Sequence, residues 1–86
     1  MKKGMAGSLE SNDALIIVEE SNSLDINISS IVYEFYGEDI LRVVKETLQS
    51  LGITALKVDV TDKGALDYTI RARLITAIKR MGDIDA

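Results

Sequence analysis

The chain has 86 residues, of which 47% are hydrophobic, enough for one small core and not two. It contains no Cys and no His, which excludes disulfides, thiolate nucleophiles, cysteine zinc sites and imidazole acid-base chemistry, so a self-contained enzyme is not expected. Ten basic residues against fourteen acidic ones give a net charge of −4, and the bases are scattered rather than gathered with aromatics, which argues against a nucleic-acid partner.

The first dozen residues, MKKGMAGSLESN, show no apolar periodicity and read as a mobile or extended arm, with order starting near Asp13. Ala14 to Glu20 is a short apolar strand, and Ser21-Asn22-Ser23 is a turn cluster, so a hairpin is expected with the next segment. That segment, Leu24 to Ser29, alternates Leu24, Ile26 and Ile28 against Asp25, Asn27 and Ser29, as a half-buried strand does.

From Glu38 to Leu51 the period becomes helical, with Leu41, Val44, Leu48 and Leu51 on one stripe and Gly52 as the stop. Ala55 to Thr61 returns to alternation, with Leu56, Val58 and Val60 facing one way. A second helix over 65–81 carries Leu66, Ile70, Leu74, Ile78 and Met81 on one face, and a frayed tail follows over 82–86.

This order predicts a single α+β domain, a three-stranded sheet covered on one face by two helices in the order ββαβα. The first apolar strand sets a puzzle, because Leu15 and Ile17 lie on one side and Ile16 and Val18 on the other. Either it is a central strand shielded by its neighbours or it offers a patch to a partner. The longest apolar run is about five residues against the roughly 20 needed to span a bilayer, and Met1-Lys2-Lys3 leads into no signal core. A soluble, cytoplasmic protein is expected.

Four features are candidates for chemistry. Ser11, between Glu10 and Asn12, has no neighbouring base to activate it, so it is either a turn serine or a hydroxyl displayed for another enzyme to modify. The stretch DKGALD at 62–67 joins a strand to a helix; such a junction can bind an anion, or Asp62 or Lys63 can shape the turn with Gly64 at positive φ. Arg71 and Arg73 face different sides of the second helix, to bind a phosphate or carboxylate or to pair with Asp67 or the acidic tail. Tyr33 and Tyr36, with Phe35, are expected to pack their rings at the start of the first helix with the hydroxyls at the surface.

LES at 9–11, DKGALD at 62–67 and RAR at 71–73 occur in register over a chain of this length, and together they resemble the acyl carrier (gamma) chains of citrate lyase from about Met5 to about Met81. Members of that family continue into a longer tail. The resemblance implies a non-catalytic carrier whose Ser11 holds, through a phosphodiester, 2'-(5''-phosphoribosyl)-3'-dephospho-CoA, placed there by a dedicated transferase. Acetyl and citryl thioesters would ride on the thiol of that group and meet the alpha (acyl transferase) and beta (lyase) subunits, which cleave citrate to acetate and oxaloacetate.

The missing Cys and His are then expected, since the thiol belongs to the prosthetic group. Docking is expected around Asp62, Lys63, Gly64, Arg71 and Arg73. The carriers of malonate decarboxylase and citramalate lyase are close alternatives, and an unmodified α+β interaction domain is the alternative from another class. The Asp-Ser-Leu attachment motif of the helical carriers of fatty acid synthesis is absent.

Overall fold

The computed structural model describes residues 2–31 and 33–82, apart from the side chains of 33–35. Its elements are β1 (Lys3–Gly7), β2 (Ala14–Glu19), β3 (Leu24–Ser30), α1 (Tyr33–Ser50), β4 (Leu56–Asp62) and α2 (Asp67–Met81). The α+β class stands, but the sheet has four strands, in the order β1-β2-β4-β3, and not three.

Two expectations are corrected. Residues 3–7, read as part of a mobile arm, form β1, which runs antiparallel to β2 from Lys3↔Glu19 to Gly7↔Leu15. The hairpin expected across 21–23 does not form: β4 lies between β2 and β3, antiparallel to the first and parallel to the second. The physical reason lies in β2, which is apolar on both faces: a strand flanked on both edges has cross-strand side chains to shield the face that no described helix covers. Strands β1 and β4 fill those positions, leaving β3 at the far edge.

The signature of β1 was smallness rather than hydrophobicity. Its inward residues are Gly4 and Ala6, both buried, because α2 lies directly on them. A Cβ built on Gly4 would stand 2.0 Å from the Ala77 carbonyl oxygen.

Both helices cover one face of the sheet. Ala14, Ile16 and Val18 of β2 and Leu56, Val58 and Val60 of β4 meet Val44 and Leu48 of α1 and Ile70, Leu74, Ala77 and Ile78 of α2 in one core. Each of the larger side chains contributes about 1.5–3 kcal/mol relative to an exposed position. The stripe of α1 runs through Ile40, Val43, Val44, Thr47 and Leu48, and Leu51, expected on it, falls past the helix end at the surface. Buried Thr47 satisfies its hydroxyl by donating to the Val43 carbonyl at 2.7 Å. Gly52, at φ +71°, stops the helix as expected, and Gly82 does the same for α2.

On the opposite face the register aligns Lys3, Glu19, Lys57 and Asp25 as a row of alternating charge across all four strands. The next row is Met5, Ile17, Asp59 and Asn27, and the third is Gly7, Leu15, Thr61 and Ser29. Leu15 and Ile17 are half-buried there, shielded by their cross-strand neighbours, with no described helix above them.

Candidate functional site

The segment Ser8 to Asp13 is the connection between β1 and β2, and Ser11 sits at its tip. The Asp13 amide donates to the Glu10 carbonyl at 3.2 Å, closing a four-residue turn with Ser11 and Asn12 at its centre. Asn12 takes the left-handed conformation at φ +65° while Ser11 does not, the pattern of a type II turn. Asparagine tolerates that conformation better than most side chains. Ser11 is exposed, and its hydroxyl makes no hydrogen bond to another described residue.

The base of the loop is organised by one carboxylate. Asp13 Oδ2 accepts from the Ser8 hydroxyl at 2.7 Å and from Arg73 Nη2 at 3.2 Å, while Oδ1 accepts from the Ala14 amide at 2.7 Å and from Arg73 Nε at 3.0 Å. Ser8 Oγ in turn accepts from the Glu10 amide at 3.3 Å. Gly7 makes the approach possible: it lies at φ +95°, and a Cβ there would stand 1.8 Å from the Ala14 carbonyl oxygen and 3.2 Å from Arg73 Cδ.

These donors favour the charged carboxylate. The Ser8 hydroxyl first, then Arg73, then the Ala14 amide bring Asp13 down from the ordinary 3.8 to about 2. Because the folded value is the lower one, the clamp stabilises the fold above about pH 4 and is lost as pH falls toward 2. Urea unfolding of the wild type and Asp13→Asn is expected to show the wild type the more stable near pH 6, with the difference closing below about pH 4. A difference that does not change with pH would show that the carboxylate charge plays no part.

The DKGALD segment abuts this loop. The Asn12 amide donates to the Lys63 carbonyl at 2.8 Å, and the Lys63 amide to the Asp13 carbonyl at 2.9 Å. Asp62 is 1% exposed and accepts from the Ser30 hydroxyl at 2.7 Å and from the Gly64 and Ala65 amides at 3.2 and 2.8 Å. Of the donors an anion could use at this junction, the Gly64 and Ala65 amides are already taken by Asp62. The turn-shaping alternative holds: Gly64 has φ +95° and Asp67 opens the first turn of α2.

The two arginines face different sides of α2, as expected. Arg73 reaches Asp13, 60 positions away in sequence, rather than Asp67; the tail, residues 83–86, lies outside the described residues. Arg71 lines a shallow groove between the helices with Arg42, Glu46 and Tyr68, and Asp67 stands 3.9 Å from Arg42.

A second groove, of about 700 Å³, is lined by Tyr36, Ile40, Ala65, Leu66, Asp67 and Tyr68. Two side chains there depart from expectation: Tyr36, read as packed, is 56% exposed, and Leu66, read as part of the buried stripe, is 59% exposed because it precedes the helix. Tyr33 and Phe35 lie outside the described side chains.

The LES, DKGALD and RAR blocks thus converge on one end of the sheet. Sequence reasoning missed the role of Asp13. Its position five residues after Ser8 was the local signal, but nothing in the sequence links it to Arg73.

Comparison with known proteins fits this geometry. The family model of the malonate decarboxylase delta subunit (MdcD) matches residues 1–81. The citrate lyase acyl carrier protein of Haemophilus influenzae (strain PittEE) is 49% identical over 82 residues, 95% of this chain and 86% of the relative. That of Clostridium perfringens (strain 13 / Type A) is 41% identical over 86 residues, 98% of this chain and 85% of the relative. A chain from the crystal structure of a Pseudomonas malonate decarboxylase hetero-tetramer in complex with malonate shares the fold, with a TM-score of 0.82 at 20% identity over 94% of this chain and 84% of that one. The fold and these relatives define an acyl carrier subunit. Within that class, the chain belongs to the citrate lyase acyl carrier protein family.

Proposed function

We propose that the chain is the acyl carrier subunit of a citrate lyase complex, with Ser11 as the covalent attachment point for 2'-(5''-phosphoribosyl)-3'-dephospho-CoA. The observation that carries this reading is the Ser11 hydroxyl itself, exposed at the tip of a pinned turn and free of hydrogen bonds to other described residues. Such a hydroxyl fits esterification, because an attaching enzyme can surround it without displacing any internal contact. When bound, the group supplies a thiol at the end of a long arm, where an acyl unit is held as a thioester.

The chain's own residues hold and present the arm; they do not catalyse. With no His or Cys, the chain leaves bond-making to its partners, the alpha acyl transferase and beta lyase subunits, after loading by the prosthetic-group transferase in the cytoplasm. Docking falls to Lys63, Gly64 and Arg71 at the surface of the loaded end; the side chains of Asp62 and Arg73 serve internal contacts. Among the described residues no helix is long and apolar enough to cross a membrane. The family model and the shared fold also favour a second carrier reading, service to a malonate decarboxylase.

Intact-protein and peptide mass spectrometry after coexpression with the lyase accessory genes tests the proposal. The added mass of the group, localised to Ser11 and absent from Ser11→Ala, is the expected result. Ser11→Ala should leave stability within about 0.5 kcal/mol of wild type, since the side chain is exposed. No added mass, with the attaching enzyme active on a known carrier, would leave only an interaction domain. Assays of the loaded chain with acetyl, citryl and malonyl thioesters then separate citrate lyase from malonate decarboxylase service.

A further inference from the structure

We infer that Arg73 is a positioning residue for the loading of Ser11, acting through Asp13 to hold the Ser8–Asp13 loop in the shape that the attaching enzyme accepts. This rests on the carrier reading above. Arg73 donates through Nε and Nη2, one to each oxygen of Asp13, a two-point grip that fixes the plane of the carboxylate and that a lysine cannot reproduce. The same carboxylate holds Ser8 at one end of the loop and the Ala14 amide at the other.

The chain of contacts continues from Ser8 to the Glu10 amide, one residue from Ser11. It is anchored in turn by α2, where the neighbouring Leu74 is fully buried, so the grip refers the loop to the core. Without it, the loop keeps the Glu10–Asp13 turn bond and the backbone pairs with Lys63.

A role in presentation differs from a role in stability. The pair is partly exposed, with side-chain exposures of 42% for Arg73 and 16% for Asp13, so the ion pair supplies only part of the stability that Asp13 gives, the rest coming from its Ser8 and Ala14 bonds. The grip uses two of the five guanidinium donors, on Nε and Nη2, and sets a carboxylate against the charge that a phosphate would need, so the role assigned to Arg73 is to hold the loop. In loading, the Ser11 oxygen forms the new O–P bond, its proton passes to a base of the attaching enzyme, and the bond from that phosphorus to the pyrophosphate of a triphosphate donor breaks. A loop that takes the accepted shape only part of the time binds the attaching enzyme more weakly by that fraction.

The experiment measures loading kinetics by intact mass, with the purified attaching enzyme and its triphosphate donor, for wild type, Arg73→Gln, Arg73→Lys, Asp13→Asn and the core control Ile78→Val. Arg73→Gln and Asp13→Asn are expected to raise KM for the carrier roughly tenfold, with kcat little changed, as loss of a preformed shape should. Arg73→Lys should recover part of this, and the double variant Asp13→Asn/Arg73→Gln should be no worse than either single change.

Hydrogen exchange at the Glu10 and Ala14 amides should speed up in the same variants. Ile78→Val should lower Tm while leaving KM and loop exchange alone. KM values within about twofold of wild type in Arg73→Gln and Asp13→Asn, or an equal KM rise in Ile78→Val, would overturn the inference. A wild-type chain that takes no group at all overturns the carrier reading and the inference together, whereas loading that ignores the clamp overturns the inference alone.

Discussion

Asp62→Ala is expected to destabilise the fold by about 3 kcal/mol, a large share of the roughly 5–10 kcal/mol available to a domain of this size. Its carboxylate is buried and takes three donors, the Ser30 hydroxyl and the Gly64 and Ala65 amides. Those contacts join the ends of β3 and β4 to the turn that starts α2. Alanine leaves one hydroxyl and two amides without their acceptor, at about 1–3 kcal/mol for each that water does not reach.

Gly64 and Ala65 are half-exposed, so water recovers part of the loss and the middle of that range applies. Tm should fall by roughly 12–24 °C. Asp62→Asn keeps an acceptor for the amides and presents its NH2 to the Ser30 oxygen, so it should cost about 1 kcal/mol. Urea unfolding of both variants checks this; a loss below about 1 kcal/mol for alanine would mean that the site rehydrates freely.

The second large effect is expected at Gly4, where alanine should cost about 3 kcal/mol or more, the upper end of what overpacking does. The added carbon would lie 2.0 Å from the Ala77 carbonyl oxygen and 2.8 Å from the Met81 nitrogen, both backbone atoms of α2 that no rotamer change can move aside. Either α2 lifts or β1 leaves the sheet.

Both outcomes reach the proposed site, since β1 ends at Gly7, which opens the loop, and Arg80 holds the strand by donating to the Met5 carbonyl at 2.9 Å. Gly52→Ala is the control: nothing lies within 4 Å of the added carbon, and the left-handed backbone alone should cost about 1–2 kcal/mol. Thermal unfolding of the two variants, with hydrogen exchange over 8–13, separates them. Equal losses at Gly4 and Gly52 would show that β1 yields to α2 without strain.

The position of the proposed site follows from the register. Ala14 pairs with Asp62, so the tip of the β1–β2 hairpin and the end of β4 come out on the same side of the sheet. A serine placed there is backed by two strands and a helix while its own side chain stays in solvent. For a tether that must be loaded and then carry cargo to other subunits, a firm base under an unencumbered attachment atom is the useful combination.

Periodicity determined β3, β4, α1 and α2, because alternation or a helical stripe was written into each segment alone. Resemblance singled out Ser11, and the small, polar composition of 7–13 fitted an exposed loop. The positive φ at Gly64 and the stops at Gly52 and Gly82 are also local, since glycine marks them whatever surrounds it. Strand β1 carried no such mark, for its inward residues are small to make room for a helix some 70 positions later. Strand order was equally silent, because the apolar faces of β2 asked for two neighbours without saying which. Tertiary structure decided those matters and brought Arg73 to Asp13: a pairing across 60 residues depends on where α2 packs, and that is settled by the whole core at once.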